Sequence, residues 1–259
     1  MRAMARVLVP LPRHDVDPTE VGVPCAALDD AGHTLVFATP DGRAAQADPR
    51  MLTGRGLGPL APSLRADARG RAAWERTAAL PAFASPLRYD QLADHEFDAI
   101  HLPGGHAPGM REYLEASEVQ RVVARMFADD EPVGAICHGV IVAARTRGDD
   151  ARSVLHGRRT TALPARMELL AWRLTKLWLG DYYRTYPETV QAEVTAALAQ
   201  PQDFDAGPRS LRRDDPEHLA RGFVVRDRNY VSARWPGDAH AYARAFIEML
   251  SDPEAITRR

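Results

Sequence analysis

The segment that most constrains the fold of this chain is residues 133–144, an apolar run interrupted by one polar pair. Val133–Ile136 has the composition of a short buried strand, and small and β-branched residues typical of a buried helix start follow the pair. The pair itself is Cys137 and His138, with a glycine on either side of the corner, where a larger Cβ would collide with crossing backbone. The pattern predicts a strand–turn–helix elbow that presents the Cys137 sulfur beside a helix N-terminus, which favours a thiolate.

A second interpretation of the same residues is structural. Free cysteine often behaves as a small buried hydrophobe, so Cys137 followed by an incidental histidine is also consistent with a core position. The partners found elsewhere in the chain favour the catalytic interpretation.

Length and composition predict one domain over residues 1–259 with a sizeable core, because 259 residues with 45% hydrophobic content suit a single large unit. The net charge of −2 gives no reason to expect a nucleic-acid or anionic-membrane partner. Cys25 and Cys137 are the only cysteines, which excludes a disulfide framework and a CxxC metal pair. The N-terminus does not resemble a signal peptide, and no apolar run approaches the roughly 18 residues of a membrane span. We therefore expect a cytoplasmic protein.

The alternation of strand-like and helix-like segments predicts a layered α/β fold with parallel crossovers. Strands are predicted at Ala5–Pro10, His33–Thr39, Phe97–Pro103 and Val133–Ile136, with a hairpin at Phe223–Ala233 and a hairpin or strand at Val154–Thr161. Helices are predicted from Asp17 to Gly32 and over Met110–Phe127, Met167–Leu179, Pro187–Leu198 and Asp238–Leu250.

Two segments stand apart from this alternation. Residues of about 41–76 are rich in Gly, Pro, Asp and Arg, and we interpret them as an insertion over the sheet or a neighbouring subunit, ending in a short helix near Trp74. The helical segment of about 167–200 is unusually aromatic, which indicates core or an oligomer interface first and a cap over a pocket second. Together they predict a homodimer or larger assembly.

Three motifs resemble those of the DJ-1/PfpI superfamily, in matching order and spacing. They are Pro18-Thr19-Glu20-Val21-x-Val23-Pro24, Leu102-Pro103-Gly104-Gly105-His106 and Ala135-Ile136-Cys137-His138-Gly139. The resemblance implies a class I glutamine-amidotransferase-like domain, with a doubly wound, flavodoxin-like, mainly parallel sheet and helices on both faces. The insertion and the closing hairpin resemble the branch that contains heat-shock chaperones and glyoxalase III.

The resemblance also implies catalytic roles. Cys137 is expected to be the nucleophile, and His138 its neighbouring proton carrier. Glu20 is expected to be a protonated acid that donates to the thiolate, because two adjacent anions are costly; from the residues alone, a surface acid in a first helical turn is an alternative. Glu168 is expected to orient His138, the alternative being a helix-face charge. Ala165 occupies another position where some members carry Asp.

The Gly-Gly-His motif is expected to complete the site. Gly104 and Gly105 would let backbone approach the sulfur, and the N–H groups of Gly105 and His138 would stabilise an oxyanion. For the two glycines, the alternative is a plain turn that ends the strand. His106 would line the mouth of the same site and contact substrate; the alternative for His106 is a solvent-exposed histidine in a loop.

His14 and Asp15, in the loop before Glu20, could line the pocket or chelate a metal, but no second ligand cluster supports a metal site. Neither a metal nor another cofactor is therefore predicted.

Three functions suit such a site. The first is an enzyme acting on small reactive carbonyls, either a glutathione-independent glyoxalase that converts methylglyoxal to lactate or a related deglycase. The second is a stress-related holding chaperone or redox sensor, in which Cys137 is oxidised to sulfenic or sulfinic acid. The third is a cysteine peptidase or amidase, because the same side chains suit acyl transfer.

Overall fold

One seven-stranded sheet organises the molecule. The structure is a computed structural model and describes residues 4–251. The strands are β1 (Arg6–Pro10), β2 (Thr34–Thr39), β3 (Leu87–Arg88), β4 (Ala99–Leu102), β5 (Val133–Ile136), β6 (Val224–Asp227) and β7 (Tyr230–Ala233). Their order is β3-β2-β1-β4-β5-β7-β6, and every neighbouring pair is parallel except the β6–β7 hairpin. The predicted doubly wound, mainly parallel sheet is confirmed.

Helices and short 3-10 turns connect the strands. The helices are α1 (Pro18–Asp30), α2 (Pro49–Thr53), α3 (Ala61–Leu64), α4 (Ala68–Ala78), α5 (Pro81–Ala84), α6 (Arg111–Leu114), α7 (Ser117–Ala128), α8 (Gly139–Arg145), α9 (Ala165–Leu179), α10 (Val190–Ala197) and α11 (Ala239–Leu250). Within residues 4–251 no helix is long and apolar enough to cross a membrane.

Helix α1 begins where the sequence predicts. The Asp17 carboxylate accepts hydrogen bonds from the N–H groups of Thr19 and Glu20, and Pro18 occupies the first turn, where its missing N–H costs nothing. The N-cap thereby fixes the orientation of the first turn, and with it the position of Glu20.

The insertion packs on this helix. A Cβ at Gly22 of α1 would lie 2.4 Å from the backbone N of Trp74, so α1 and α4 touch backbone to backbone. Trp74 then contacts Phe83 edge-on, and Phe83 contacts Phe37 of β2. The predicted short helix near Trp74 is confirmed, and Trp74 itself lies in the core.

Two predicted elements differ from the structure. The helix expected over Met110–Phe127 is divided, because Ala116 adopts an extended conformation (ψ 111°) between α6 and α7. The break lets both Leu114 of α6 and the apolar face of α7 reach the core. The hairpin or strand expected at Val154–Thr161 is a series of turns with one isolated bridge, from Thr160 to Phe204.

The turns at Val154–Thr161 have a physical reason. The Thr161 N–H donates to Oγ of Ser232, and the Thr160 hydroxyl lies 3.0 Å from that of Tyr230. This segment therefore contacts β7 by hydrogen bonds to the side chains of that strand, and its backbone does not pair with the β7 backbone. The two-residue edge strand β3 has no clear signal in the sequence.

Candidate active site

Cys137 lies at the elbow between β5 and α8. Its φ of +58° is unusual for a residue other than glycine, and its N–H donates to the Ala233 carbonyl, which extends the pairing of β5 with β7. A Cβ at Gly139 would lie 2.1 Å from the Leu102 carbonyl oxygen, so the first residue of α8 must be glycine for the helix to pass over β4. The predicted elbow with strained backbone is confirmed.

The three sequence motifs meet at the carboxyl edge of adjacent strands. Gly104 follows β4, Cys137 follows β5, and Glu20 comes from α1, which follows β1. A Cβ at Gly104 would lie 2.5 Å from Glu20 Oε2 and 2.8 Å from the backbone N of His138. Glycine at this position therefore lets the β4 loop, the acid and the elbow come together, as predicted.

Glu20 is fully buried. Burial raises its pKa well above the ordinary value, and the nearby charge of Asp17 adds to the shift, whereas the Cys137 thiol and the Gly104 N–H oppose it. Burial therefore favours the protonated form of this carboxyl, the form that the resemblance implies.

The expected low pKa of Cys137 is not what the structure gives. Burial raises the pKa of the thiol above its ordinary value, and the ionised carboxylates of Glu20 and Asp17 would raise it further, whereas the His138 N–H stabilises the thiolate. Because α8 is short and Cys137 is almost completely enclosed, desolvation outweighs the helix dipole. The resting residue is a thiol that must lose its proton during reaction.

His138 is placed to accept that proton. Its Nδ1 lies 3.5 Å from Cys137 Sγ, and its Nε2 lies 3.1 Å from the Thr185 hydroxyl. The Thr185 hydroxyl donates its own proton to the His106 carbonyl oxygen at 2.6 Å. The Thr185 oxygen can therefore only accept from His138, so Nε2 of His138 carries the ring proton. The Nδ1 lone pair then faces the sulfur. Burial lowers the pKa of His138 to about 3, which keeps the ring neutral.

Glu168 does not orient His138 in this structure. Its Oε2 accepts the N–H of Val190 at 2.9 Å, in the first turn of α10, and its Oε1 lies 3.6 Å from Arg184. Burial raises its pKa to about 7. Among residues 4–251, the hydrogen-bond partner of His138 Nε2 is Thr185. Glu168 nevertheless lines the same cavity as Cys137.

A cavity of about 540 Å³ opens above the sulfur, and Gly105, His106, Cys137 and Glu168 line it. His106 stacks on Tyr183 with centroids 4.3 Å apart, and burial lowers its pKa to about 4. The predicted place of His106 at the mouth is confirmed, whereas a contact with substrate stays a prediction. The roles of the Gly105 and His138 N–H groups as oxyanion donors also stay predictions.

The aromatic segment after α9 forms part of this cavity. Tyr182 and Tyr183 pack with Met51 and Leu57 of the insertion in a small core of their own. Tyr182 also donates a hydrogen bond to Asp48. Tyr182 and Tyr183 are therefore core residues, as the first interpretation from sequence expected, and Tyr183 also lines the cavity.

A comparison with known proteins decides the family. A family model described as ThiJ/PfpI family-like matches residues 11–208. The chain belongs to this family of the DJ-1/PfpI superfamily.

Individual relatives agree with the assignment. Deglycase PfpI from Pyrococcus furiosus is 29% identical over 167 residues, which cover 63% of this chain and 69% of the relative. The glutathione-independent glyoxalase hsp3101 from Schizosaccharomyces pombe is 29% identical over 84 residues, which cover 31% of this chain and 34% of the relative. The structure of the 24 kDa Rapid Encystment Protein from Francisella tularensis superposes with a TM-score of 0.70 at 18% identity, covering 96% of this chain and all of that one. That last likeness concerns the fold alone.

Another group of this ThiJ/PfpI-like chain has metal-ligand geometry. Asp215, Glu217 and His218 offer ligand atoms within 4.8 Å of one another. Asp215 already pairs with Arg69, Arg221 and His218, and none of the three lines the Cys137 cavity. The guanidinium groups of Arg69 and Arg221 therefore already pair with this carboxylate.

Proposed function

We propose that the chain converts small 2-oxoaldehydes such as methylglyoxal to 2-hydroxy acids without glutathione. The observation that carries the proposal is the 3.5 Å separation of Cys137 Sγ, which lines the cavity, and Nδ1 of the buried His138 behind it. The buried acid Glu20, whose pKa is raised, adjoins the sulfur. The names of the relatives, a deglycase and a glutathione-independent glyoxalase, support chemistry on reactive carbonyls.

The first step forms a hemithioacetal. Cys137 Sγ attacks the aldehyde carbon while its proton moves to His138 Nδ1, and the aldehyde oxygen then receives that proton. The backbone N–H of His138 stabilises the developing negative charge on sulfur or oxygen. The raised pKa of the Cys137 thiol and the lowered pKa of His138 both oppose a thiolate–imidazolium pair before attack, so the proton moves as the carbon–sulfur bond forms.

The second step moves hydrogen between two carbons. Neutral His138 removes the C–H proton of the former aldehyde carbon, and the resulting enediol takes a proton at the neighbouring carbon. The product on the enzyme is a thioester of the 2-hydroxy acid. Water then cleaves this thioester and returns Cys137 to the thiol. Overall, one water is consumed, the aldehyde carbon is oxidised and the ketone carbon is reduced, so no external oxidant is needed.

Glu20 tunes both steps. A neutral carboxyl adjoining the sulfur donates a hydrogen bond to a thiolate, whereas a carboxylate would repel it. Removal of early glycation adducts would use the same pair: a carbon–sulfur bond forms between Cys137 and the former aldehyde carbon, the carbon–nitrogen bond breaks, and the amine leaves with the proton that His138 took from the thiol.

Purified protein and methylglyoxal, with no added thiol, test the proposal through the lactate formed. We expect lactate from the parent protein and from Cys25→Ala, and none from Cys137→Ala. Cys25 is buried in α1 and serves as the matched control. Equal lactate from Cys137→Ala, or none from the parent, would refute the proposal; the second result together with holdase activity would favour a chaperone.

A further inference from the structure

The cavity above Cys137 has a polar floor and apolar walls. Resting on the proposed function, we propose that its substrates are 2-oxoaldehydes carrying a long alkyl or aryl tail, and that methylglyoxal is the poorest member of the series. The tail would lie along the walls while the two carbonyl carbons sit at Cys137.

Leucines from separate parts of the chain form these walls. Leu60 and Leu64 come from the insertion, Leu170 and Leu174 from α9, and Leu211 from the segment before β6, and all five line the cavity with Cys137. The fold therefore brings distant apolar side chains together at a site whose chemistry needs only polar ones. An apolar ligand is the partner that such walls fit.

Three of these side chains are exposed to solvent. The exposed fractions of Leu170, Leu174 and Leu211 are 45%, 49% and 56%. Apolar surface left in water is unfavourable, and exposed apolar groups gathered around one opening mark a binding site. A tail bound between α9 and the insertion would remove these three side chains from water.

The size of the cavity points the same way. About 540 Å³ lies within the range of pockets for drug-sized ligands, roughly 300–1,000 Å³. One water takes up about 30 Å³ in the liquid. A three-carbon aldehyde, equal to only a few waters, would leave most of the cavity unfilled.

Helix α9 supplies a matched control. Leu177 is 90% exposed and belongs to the same helix, yet it does not line the cavity. Leu174→Gln and Leu177→Gln thus make the same chemical change one helical turn apart, and only the first alters a wall.

The first measurement is kcat/KM for a homologous series from methylglyoxal to hexylglyoxal. Each added methylene should raise kcat/KM about fourfold, the equivalent of about 0.8 kcal/mol, until the tail fills the space between the leucine walls. Leu174→Gln should lower kcat/KM for hexylglyoxal about tenfold more than it lowers kcat/KM for methylglyoxal, whereas Leu177→Gln should change neither value. A flat series, or equal losses in the two variants, would overturn the proposal.

The second measurement does not depend on turnover. The rate constants for alkylation of Cys137 by N-methylmaleimide and N-hexylmaleimide are compared at pH 8, with free cysteine as the reference thiol. We expect the hexyl reagent to react at least tenfold faster relative to the reference, and Leu174→Gln to reduce that preference.

The two measurements separate the two ideas. If no glyoxal is turned over but the hexyl preference at Cys137 is present, the proposed function fails and the apolar pocket stands. If methylglyoxal is turned over but neither series depends on tail length, the proposed function stands and the substrate class is wrong.

Discussion

The Thr185 hydroxyl lies 3.1 Å from Nε2 of His138, on the side of the ring away from Cys137 Sγ. The same hydroxyl donates to the His106 carbonyl oxygen. A neutral hydroxyl, and not a carboxylate, therefore fixes the tautomer of His138. It orients the ring without stabilising an imidazolium, in keeping with the lowered pKa of His138.

Thr185→Val tests this orienting role, because valine keeps the shape and removes the hydrogen bond. We expect kcat for methylglyoxal to fall about tenfold, the equivalent of about 1.4 kcal/mol for one hydrogen bond, with KM little changed. Thr185→Ser should restore most of the activity. The control is Thr175→Val, which removes a buried hydroxyl that bonds only within α9. Parent-like kcat in Thr185→Val would show that the contact is not needed.

Glu168→Gln should change the pH dependence of stability more than it changes turnover. The pKa of Glu168 is raised from 4.5, its value in the unfolded chain, to about 7 in the folded protein. The protonated carboxyl therefore stabilises the fold fully below pH 4.5, and this stabilisation is lost as the pH rises through 7. Glutamine cannot ionise. The stability of the variant relative to the parent should rise by on the order of 2 kcal/mol between pH 5 and pH 8.

Denaturant unfolding at the two pH values measures this change. Turnover of Glu168→Gln should stay within about threefold of the parent, since its hydrogen bonds go to α10 and not to the imidazole. A loss of activity as large as that of Cys137→Ala in a folded variant would give Glu168 a direct chemical role.

Glu20→Gln should alter the high-pH limb of the kcat/KM profile. Near pH 7 glutamine resembles the neutral carboxyl, so activity should be largely kept. At high pH, ionised Glu20 would repel the thiolate in the parent, whereas the variant has no charge to gain. The parent profile should therefore decline at lower pH than that of the variant. Superimposable profiles would mean that Glu20 does not tune the sulfur.

Iodoacetamide should label Cys137 before Cys25. Cys137 lines the cavity, whereas Cys25 is fully buried in α1 and burial raises its pKa. Because the Cys137 pKa is also raised, its rate should climb about tenfold per pH unit from pH 6 to pH 8. Peptide mass spectrometry follows both sites. A rate that is constant above pH 6 would indicate a preformed thiolate and restore the low pKa expected from sequence.

How much the sequence reveals depends on how local the signal is. The elbow at Cys137 and the N-cap at Asp17 are encoded within a few residues, so both were predictable together with the sheet around them. The aromatic segment was expected in the core, but its contacts with Met51 of the insertion are long-range and left no periodic pattern.

Thr185 escaped prediction for the same reason. It is 47 residues from His138, in an irregular segment between α9 and α10, and a single threonine carries no recognisable motif. The expectation of an acid directed attention to Glu168, whose carboxylate instead satisfies the N–H of Val190. The low pKa expected for Cys137 failed because sequence does not reveal how completely the sulfur is enclosed.

The measurement that tests the central claim most directly is kcat of His138→Gln for thiol-free conversion of methylglyoxal to lactate. Glutamine keeps a polar side chain but cannot carry a proton between sulfur and carbon, and a general base typically contributes about 10²–10⁴-fold. We predict a loss of kcat in that range, with the folded state and the labelling of Cys137 retained. A His138→Gln variant that forms lactate at the parent rate would contradict the account.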